Sequence, residues 1–518
     1  MASDECTSNV PFSAMYYKAF LILKHHFFQT HRFAMSCLAR NVFLKSVESV
    51  APDQLVLQKL DRKRNTLFLG EYGHVLDKNV YVIGFGKAVC GMCRALQQII
   101  GDHIVSGVIS VPSGLPNNLR KNQKSYLLPL DDGKIKVIEG AKDNLPDDDA
   151  VEAAKQIVEI TQKASFNDLV IALVSGGGSA LLPAPIPPIS LDIKKMVTKA
   201  LAEKGATIQE LNIVRQQLSL VKGGKLLQFA YPAKVWGLIL SDLVDDQVNL
   251  IASGPTVINE YTSADALKIL EQYEVKNTPL MVSSFSKSPS DHTPMTADVV
   301  NCVVGNNELA VNEGLSEARR HGFTAVALSR TLHGEAKQLG FLFADLGIDL
   351  ASMLEIHDPC RVTKLRSTVE RISAMSHSTI EFESIFTTLF PSVISKGLCL
   401  IGGGETTVTL QSSSGQGGRN QEMVLAAAIR LCERLEGTEN NCEITFLSAG
   451  TDGQDGPTPA AGAVFCSSDL TKFDLAYAKE CLVNHNSYSF FKDHGTVMTG
   501  LTGTNVMDIQ ALVVRRTT

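Results

Sequence analysis

The sequence predicts an α/β protein built on mostly parallel sheets. Three observations carry that prediction. Short apolar runs alternate with helix-like stretches. Nearly every apolar run ends in glycines and polar residues. The chain has 518 residues, enough for two or three domains, with 44% hydrophobic and 20% charged residues, an ordinary globular balance. Alternating strands and helices are what a sheet covered by its own crossover helices requires, and ligands then sit at the carboxyl ends of the strands.

The elements follow in order. Ser36 to Val50 reads as a first helix. Tyr81 to Ile83 reads as a strand, Gly84-Phe85-Gly86-Lys87 as a turn, and Ala88 to Ile100 as a helix. Val108 to Val111 is a second strand and Leu169 to Val174 a third, followed by Ser175-Gly176-Gly177-Gly178-Ser179. Val235 to Leu240 is a fourth and ends in Ser241-Asp242. Val300 to Val304 is a fifth, turned by Gly305-Asn306-Asn307 into a helix from Glu308 to His321. Thr324 to Leu328, Leu398 to Ile401 and Ile444 to Leu447 are later strands. Asp147-Asp148-Asp149 opens a helix, where acids complement the helix dipole. Ala351 to Ser395 reads as helix mixed with loop. Met281 to Ala297, rich in Ser and Pro, reads as a surface loop and a boundary.

Composition removes several classes of function. The net charge is −6 and the pI about 6.1, so no basic field draws nucleic acid. Aromatics are 6% with one Trp, which argues against a base-stacking surface. Leu169 to Pro188 is the most apolar stretch and is too broken by Gly and Pro to span a membrane. The 11 cysteines are scattered, with Cys90 and Cys93 as the one CxxC pair. An odd count without a secretory leader points to reduced thiols in an intracellular protein, and these two line a helix. From Thr7 to Val47 there is no Asp or Glu, while Lys18, Lys24, Arg32, Arg40 and Lys45 occur. That pattern resembles a mitochondrial transit segment; a poorly ordered extension is the other reading. The expected location is therefore cytoplasmic or mitochondrial.

The chemistry lies in the loops. Ser448 to Thr458 leaves an apolar run and holds Asp452, Asp455 and three glycines between Gly450 and Thr458. Such a loop brings oxygen ligands and bare backbone up to a charged ligand, although Asp-Gly turns are common in themselves. Gly84-Phe85-Gly86-Lys87 pairs freed amides at a helix start with a lysine suited to phosphate. It is no dinucleotide fingerprint, because the third glycine falls on Val89. Ser175 to Ser179 can form an anion nest. Gly402-Gly403-Gly404-Glu405-Thr406 repeats that logic, and Gly417-Gly418-Arg419-Asn420 adds an arginine able to bridge two phosphate oxygens. Asp242, Asp245 and Asp246 stand at a strand end, where carboxylates bind Mg²⁺ or orient a hydroxyl. Backbone donors, two cations and several acids are what phosphoryl transfer needs.

These segments resemble the class II glycerate kinases. The matching stretches are Val82 to Ala88, Val174 to Leu182, Asn212-Ile213-Val214-Arg215 with Lys222-Gly223-Gly224, Ser241 to Thr256, Gly402 to Leu410, Gly417 to Glu422, Gly450 to Thr458 and Gly500 to Asp508. The resemblance implies two three-layer α/β domains, the N-terminal one Rossmann-like, with the active site in the interdomain cleft. It implies an extension over 1–35, a first domain over 36–290 and a second over 298–518, motif-rich from 396 to 510. It implies ATP- and Mg²⁺-dependent phosphorylation of D-glycerate, with no nucleic-acid or membrane partner. Lys87, Arg419 and Asp242 would be catalytic, with Asp246 the second choice for the aspartate. Gly84, Gly86, Ser175, Gly176, Gly177, Gly178, Ser179, Arg215, Asn306, Glu405, Thr406 and Asn505 would bind substrate or nucleotide. Asp246, Asp452 and Asp455 would be metal candidates. The chain departs from the family at Asp245, where glycine is usual. A sensor of a phosphorylated metabolite and an NAD-dependent dehydrogenase are the alternatives; the first lacks a reason for so many cations and acids, the second lacks its glycine pattern.

Overall fold

The computed structural model describes residues 35–275, 296–355, 359–389, 396–410, 415–436 and 441–517. Residues 1–34, which hold most of the acid-free stretch, and the Ser/Pro-rich stretch 281–295 lie outside the described residues. A small antiparallel sheet comes first, made of β1 (Leu60–Lys63), β2 (Thr66–Leu69) and β3 (Tyr72–Val75). Six further strands are β4 (Val80–Phe85), β5 (Ile104–Pro112), β6 (Ile135–Gly140), β7 (Leu169–Val174), β8 (Lys234–Leu240) and β9 (Asp298–Gly305). They form one sheet, all parallel, in the order β6-β5-β4-β7-β8-β9. Counted from β4 this is the 3-2-1-4-5-6 order of doubly wound nucleotide-binding sheets, which reverses direction between β4 and β7. Both strands are almost wholly buried, as a strand covered by helices on two faces must be.

The second sheet is mixed. Its strands are β10 (Thr324–Leu332), β11 (Leu398–Gly404), β12 (Cys442–Gly450), β13 (Gly462–Cys466), β14 (Thr496–Val497) and β15 (Asp508–Arg516), in the order β10-β11-β15-β12-β13-β14. β10 and β11 run parallel, and the remaining neighbours are antiparallel. The departure from a parallel pattern comes from β15. This last strand inserts between β11 and β12, buried on both faces from Asp508 to Val514. Sequence alone leaves this segment unassigned, although Ile509, Leu512, Val513 and Val514 carry a strand's composition.

Two boundaries shift. β9, which a division at 298 gives to the second domain, is the edge strand of the first sheet and pairs with β8 from Lys234↔Asp298 onward. The crossing to the second sheet comes only with the helix Asn307–Arg320. In the other direction, the first described helix, 35–49, packs on the helix that crosses to the second sheet. Met35, Leu38, Ala39, Val42, Phe43 and Ser46 recur at helical spacing and are buried. Position 314 abuts Val42, Ser46 and Ile401, so this face packs on the helix Asn307–Arg320, which in turn lies on β11. Thr504 donates to the Val50 carbonyl (2.6 Å) and fixes its end. Three large apolar side chains buried this way contribute about 5 kcal/mol before entropy.

A chain beginning at Met35 should therefore melt within a few degrees of the full chain, while one beginning at Ala51 should be insoluble or melt far lower. A Met35 start that fails to fold would make the leader part of the fold. No helix among the described residues is long and apolar enough to cross a membrane. Cys90 and Cys93 lie buried on the helix Val89–Ile100. Burial pushes the Cys90 thiol up to about 12 and Cys93 further still, so both are inert packing thiols.

Candidate active site

The order reversal between β4 and β7 sets the turns that follow them side by side. Gly86 has φ +141°, and a side-chain carbon there would lie 2.1 Å from Ser175 Oγ; glycine is required by conformation and by space together. The Gly86 amide donates to Ser110 O (3.2 Å), Lys87 N–H to Gly176 O (2.9 Å) and Ala88 N–H to Ser175 Oγ (3.0 Å). Of the amides expected to face an anion, that of Gly86 is tied to β5, and those of Lys87 and Ala88 lock the two turns together. Ser175 is fully buried and acts in that lock, while Gly84 packs between Ile109 and Leu173 on the neighbouring strands. What this turn presents outward is the Lys87 side chain, which lies along Gly177. Gly178 abuts Ala252 and Phe85, and Ser179 Oγ meets Ser253 Oγ (3.1 Å), which in turn donates to Asn212 Oδ1.

From β8 comes Asp242. A side-chain carbon at 176 would lie 2.2 Å from its Oδ2 and 2.6 Å from the amide nitrogen of Asn505. Gly176 thus lets a carboxylate of the first domain and an amide of the second approach one backbone. Asp242 keeps some exposed surface yet lies deep between the domains. Burial raises its pKa to about 6, against the pull of Lys87 and with the push of Asp452.

The second sheet supplies the opposite wall. Its register aligns Gly404, Asp508 and Gly450 across β11, β15 and β12, so the segments next to them share one edge. Arg419, first residue of the helix Arg419–Leu435, donates from Nε and Nη2 to the two oxygens of the fully buried Asp508 (2.6 and 2.8 Å). Its Nη1 stands 2.9 Å from Glu405 Oε1. Burial alone would lower the Arg419 pKa; the two carboxylates outweigh it and hold the guanidinium charged. Thr406, beside Glu405, is buried with its hydroxyl unpartnered among the described residues. Lys87 Nζ donates to Asp452 Oδ2 (3.0 Å) and joins the two walls.

The two acids of the Ser448–Thr458 loop have separate roles. Asp455 is buried and accepts from Asn420 N, Asn420 Nδ2, Gln421 N and Gln421 Nε2 (2.9–3.2 Å). It caps the helix that carries Arg419, as a carboxylate at a helix start should; it is not placed to ligate metal. A side-chain carbon at Gly418 would lie 2.3 Å from it, which explains that glycine. Glu422 pairs with His485 (2.9 Å). In this motif Arg419 alone reaches toward the cleft. Asp246, with φ +51°, receives the Asn306 amide, and Asn306 caps the helix Asn307–Arg320 by accepting from Leu309 N–H. These two line a cavity of about 350 Å³ with Ser329, Arg330 and Thr331. Among the described residues no group of three or more His, Cys, Asp or Glu is arranged to hold a metal. Asp242 and Asp452, which sense each other's charge, are the pair left facing Lys87. Asp508, essential to Arg419, was not singled out from sequence. A lone acid at the head of an apolar strand, buried by its register, demands a cation partner; that was the available signal.

The chain matches a family described as a domain of unknown function, DUF4147, over residues 38–286, and the MOFRL family over residues 398–508. It is 40% identical over 499 residues to a rat protein named glycerate kinase, covering 93% of this chain and 94% of the relative. The human protein of that name is 39% identical over 497 residues, with the same coverage. A Thermotoga maritima protein named D-glycerate 2-kinase is 32% identical over 475 residues, covering 91% and 96%. The crystal structure of a glycerate kinase from Thermotoga maritima superposes with a TM-score of 0.71 at 30% identity, covering 93% of this chain and 99% of that one.

Proposed function

We infer that this chain, which belongs to the glycerate kinase family and phosphorylates glycerate, performs the transfer between the walls that Lys87 and Arg419 occupy. The observation that carries the reading is the 3.0 Å contact of Lys87 with Asp452: it brings a first-domain cation to a second-domain acid directly beside Asp242. The phosphoryl donor is ATP and the acceptor D-glycerate. A glycerate hydroxyl oxygen forms the new P–O bond as the bond to the leaving phosphate oxygen breaks. Asp242, with a pKa of about 6, is mostly ionised at neutral pH and takes the hydroxyl proton, matching a general base to its working range. Lys87 and Arg419 offset the charge spread over the transferring group. Closure of the cleft keeps water from the donor.

Mg²⁺ binds through one or two carboxylates and the donor's phosphates rather than in an all-protein cage. Asp452, on the opposite wall, fits that need and leaves Asp242 free to act as the base. Such an ion would add positive charge at the donor phosphates. The location in this reading is the cytoplasm, with mitochondrial import the alternative that the acid-free stretch from Thr7 to Val47 supports.

ADP release with D-glycerate, followed with and without Mg²⁺, tests the activity; Lys87→Ala tests the site. That substitution should lower turnover by about a hundredfold or more, the scale of one lost preorganised donor. Melting should barely move, because a partly exposed ion pair contributes about 1 kcal/mol or less. Near-normal turnover in the variant would sink the assignment.

A further inference from the structure

The loop that carries Asp452 is held from outside its own strand. Thr451 is tied to the head of β15 through the Met507 carbonyl. From Asp452 onward the backbone leans on a second loop, Gly500-Leu501-Thr502-Gly503-Thr504. Thr502 N–H donates to the Asp452 carbonyl (3.0 Å), and Thr502 Oγ1 donates to the Thr451 carbonyl (2.7 Å). Gly453 has φ +87°, and a side chain there would run into the Gly500 carbonyl. The backbone on both sides of Asp452 is thus pinned to this second loop, while its carboxylate meets Lys87 (3.0 Å).

By composition the second loop is a poor anchor. Gly500 and Gly503 bracket it in left-handed conformations (φ +59° and +82°), and glycine loses the most conformational freedom when it is fixed. What fixes it comes from the first domain. Lys124, in the turn after the helix Leu115–Lys121, donates from Nζ to the Leu501 carbonyl (3.0 Å). Gly503 lies against Leu127 and Leu119, and Thr504 donates to the Val50 carbonyl. Lys124 makes no ion pair among the described residues, and burial lowers its pKa. An ammonium that sheds water for one carbonyl serves packing less well than an apolar side chain would. What it adds is a directed donor, strengthened by its charge.

We propose that Lys124 is a positioning residue: through the Leu501 carbonyl and Thr502 it sets the backbone of Asp452, and with it the acid that holds Lys87 in the cleft. A first-domain lysine thereby places a second-domain carboxylate opposite a first-domain cation. The link rests on the reading above only where it concerns turnover; the mechanical hold on Asp452 stands on its own contacts.

Hydrogen exchange reads the link without turnover. In Lys124→Met the amides of residues 448–458 should exchange about tenfold faster, while those of the helix Arg419–Leu435 keep their protection. With ATP and D-glycerate, kcat should fall about tenfold and KM for both substrates should barely change, because a displaced group costs orientation rather than binding. Melting should move by only a few degrees, since one half-buried hydrogen bond is lost. Lys124→Arg keeps a charged donor and should restore both exchange and kcat. Asp452→Asn supplies the sharpest comparison. If Lys124 acts through Asp452, adding Lys124→Met to Asp452→Asn should lower kcat by less than about twofold. A full second loss in that background would place the action of Lys124 elsewhere. Unchanged exchange over 448–458 in Lys124→Met, or an arginine variant no better than methionine, would likewise overturn the positioning role. Near-normal turnover in Lys87→Ala would remove the catalytic reading and leave the exchange result standing.

Discussion

Asp242→Asn should lower turnover by about a thousandfold and yet make the protein more resistant to heat. The first effect follows from losing a general base, a contribution of about 10²–10⁴. The second follows from the direction of the pKa shift. Burial raises the Asp242 carboxyl to about 6, whereas in the unfolded chain it titrates near 4. Between those values the folded protein binds more protons than the unfolded one, so stability falls as pH rises from about 4 to 6 and stays lower above. A two-unit shift corresponds to on the order of 1–3 kcal/mol of destabilisation at neutral pH. Asparagine never ionises and escapes it. In the unaltered chain kcat/KM should fall about tenfold per pH unit below 6, since the base must be ionised; in Asp242→Asn that limb should vanish. Melting curves at pH 5 and pH 8 beside the pH–rate profile decide the matter. Lower stability with near-normal turnover would make Asp242 a structural acid.

The first domain was more legible than the second, for a physical reason. β4, β7 and β8 are parallel, buried on both faces and followed directly by their chemistry, so an apolar run and the polar turn after it can be read together. Tyr81 to Ile83 with Lys87, Leu169 to Val174 with Ser175, and Val235 to Leu240 with Asp242 all follow that rule. In the second sheet the same rule finds β11 and β12. It cannot find that β15 runs antiparallel between them, because pairing is set by contacts far apart in sequence. Asp508 was missed for that reason: its importance arises from register opposite Gly404 and Gly450, which no local pattern records. The same blindness made Asp455 look like Asp452. The two sit three residues apart in one glycine-rich loop, and only the position of the helix beginning at Arg419 separates a helix cap from an acid facing the cleft. Ser175 shows the converse. Its place in a glycine loop suggests an anion nest, but the adjacency of β4 and β7 turns its hydroxyl toward the Ala88 amide.

Arg419→Lys should lose about a thousandfold in turnover, keep most of its affinity for ATP, and gain nothing from excess glycerate. The expectation rests on how the guanidinium is held. Two of its nitrogens grip both oxygens of Asp508, and a third faces Glu405. A lysine ammonium is a point donor and cannot reproduce that fork. It would follow one acid and abandon the other, so the charge that meets the phosphoryl group would be misplaced even though it is present. Near-attack geometry tolerates little of that. Asp508 is fully buried, so loss of its paired grip should also lower stability; breaking a buried ion pair costs about 3–5 kcal/mol. The two effects can be pulled apart. Adding Asp508→Asn to Arg419→Lys removes the stranded carboxylate and should recover much of the melting temperature, while turnover stays low. Full turnover in Arg419→Lys would reduce the arginine to a generic positive charge. If Asp508→Asn restored turnover along with stability, Arg419 would serve to balance Asp508 rather than to act on the phosphoryl group.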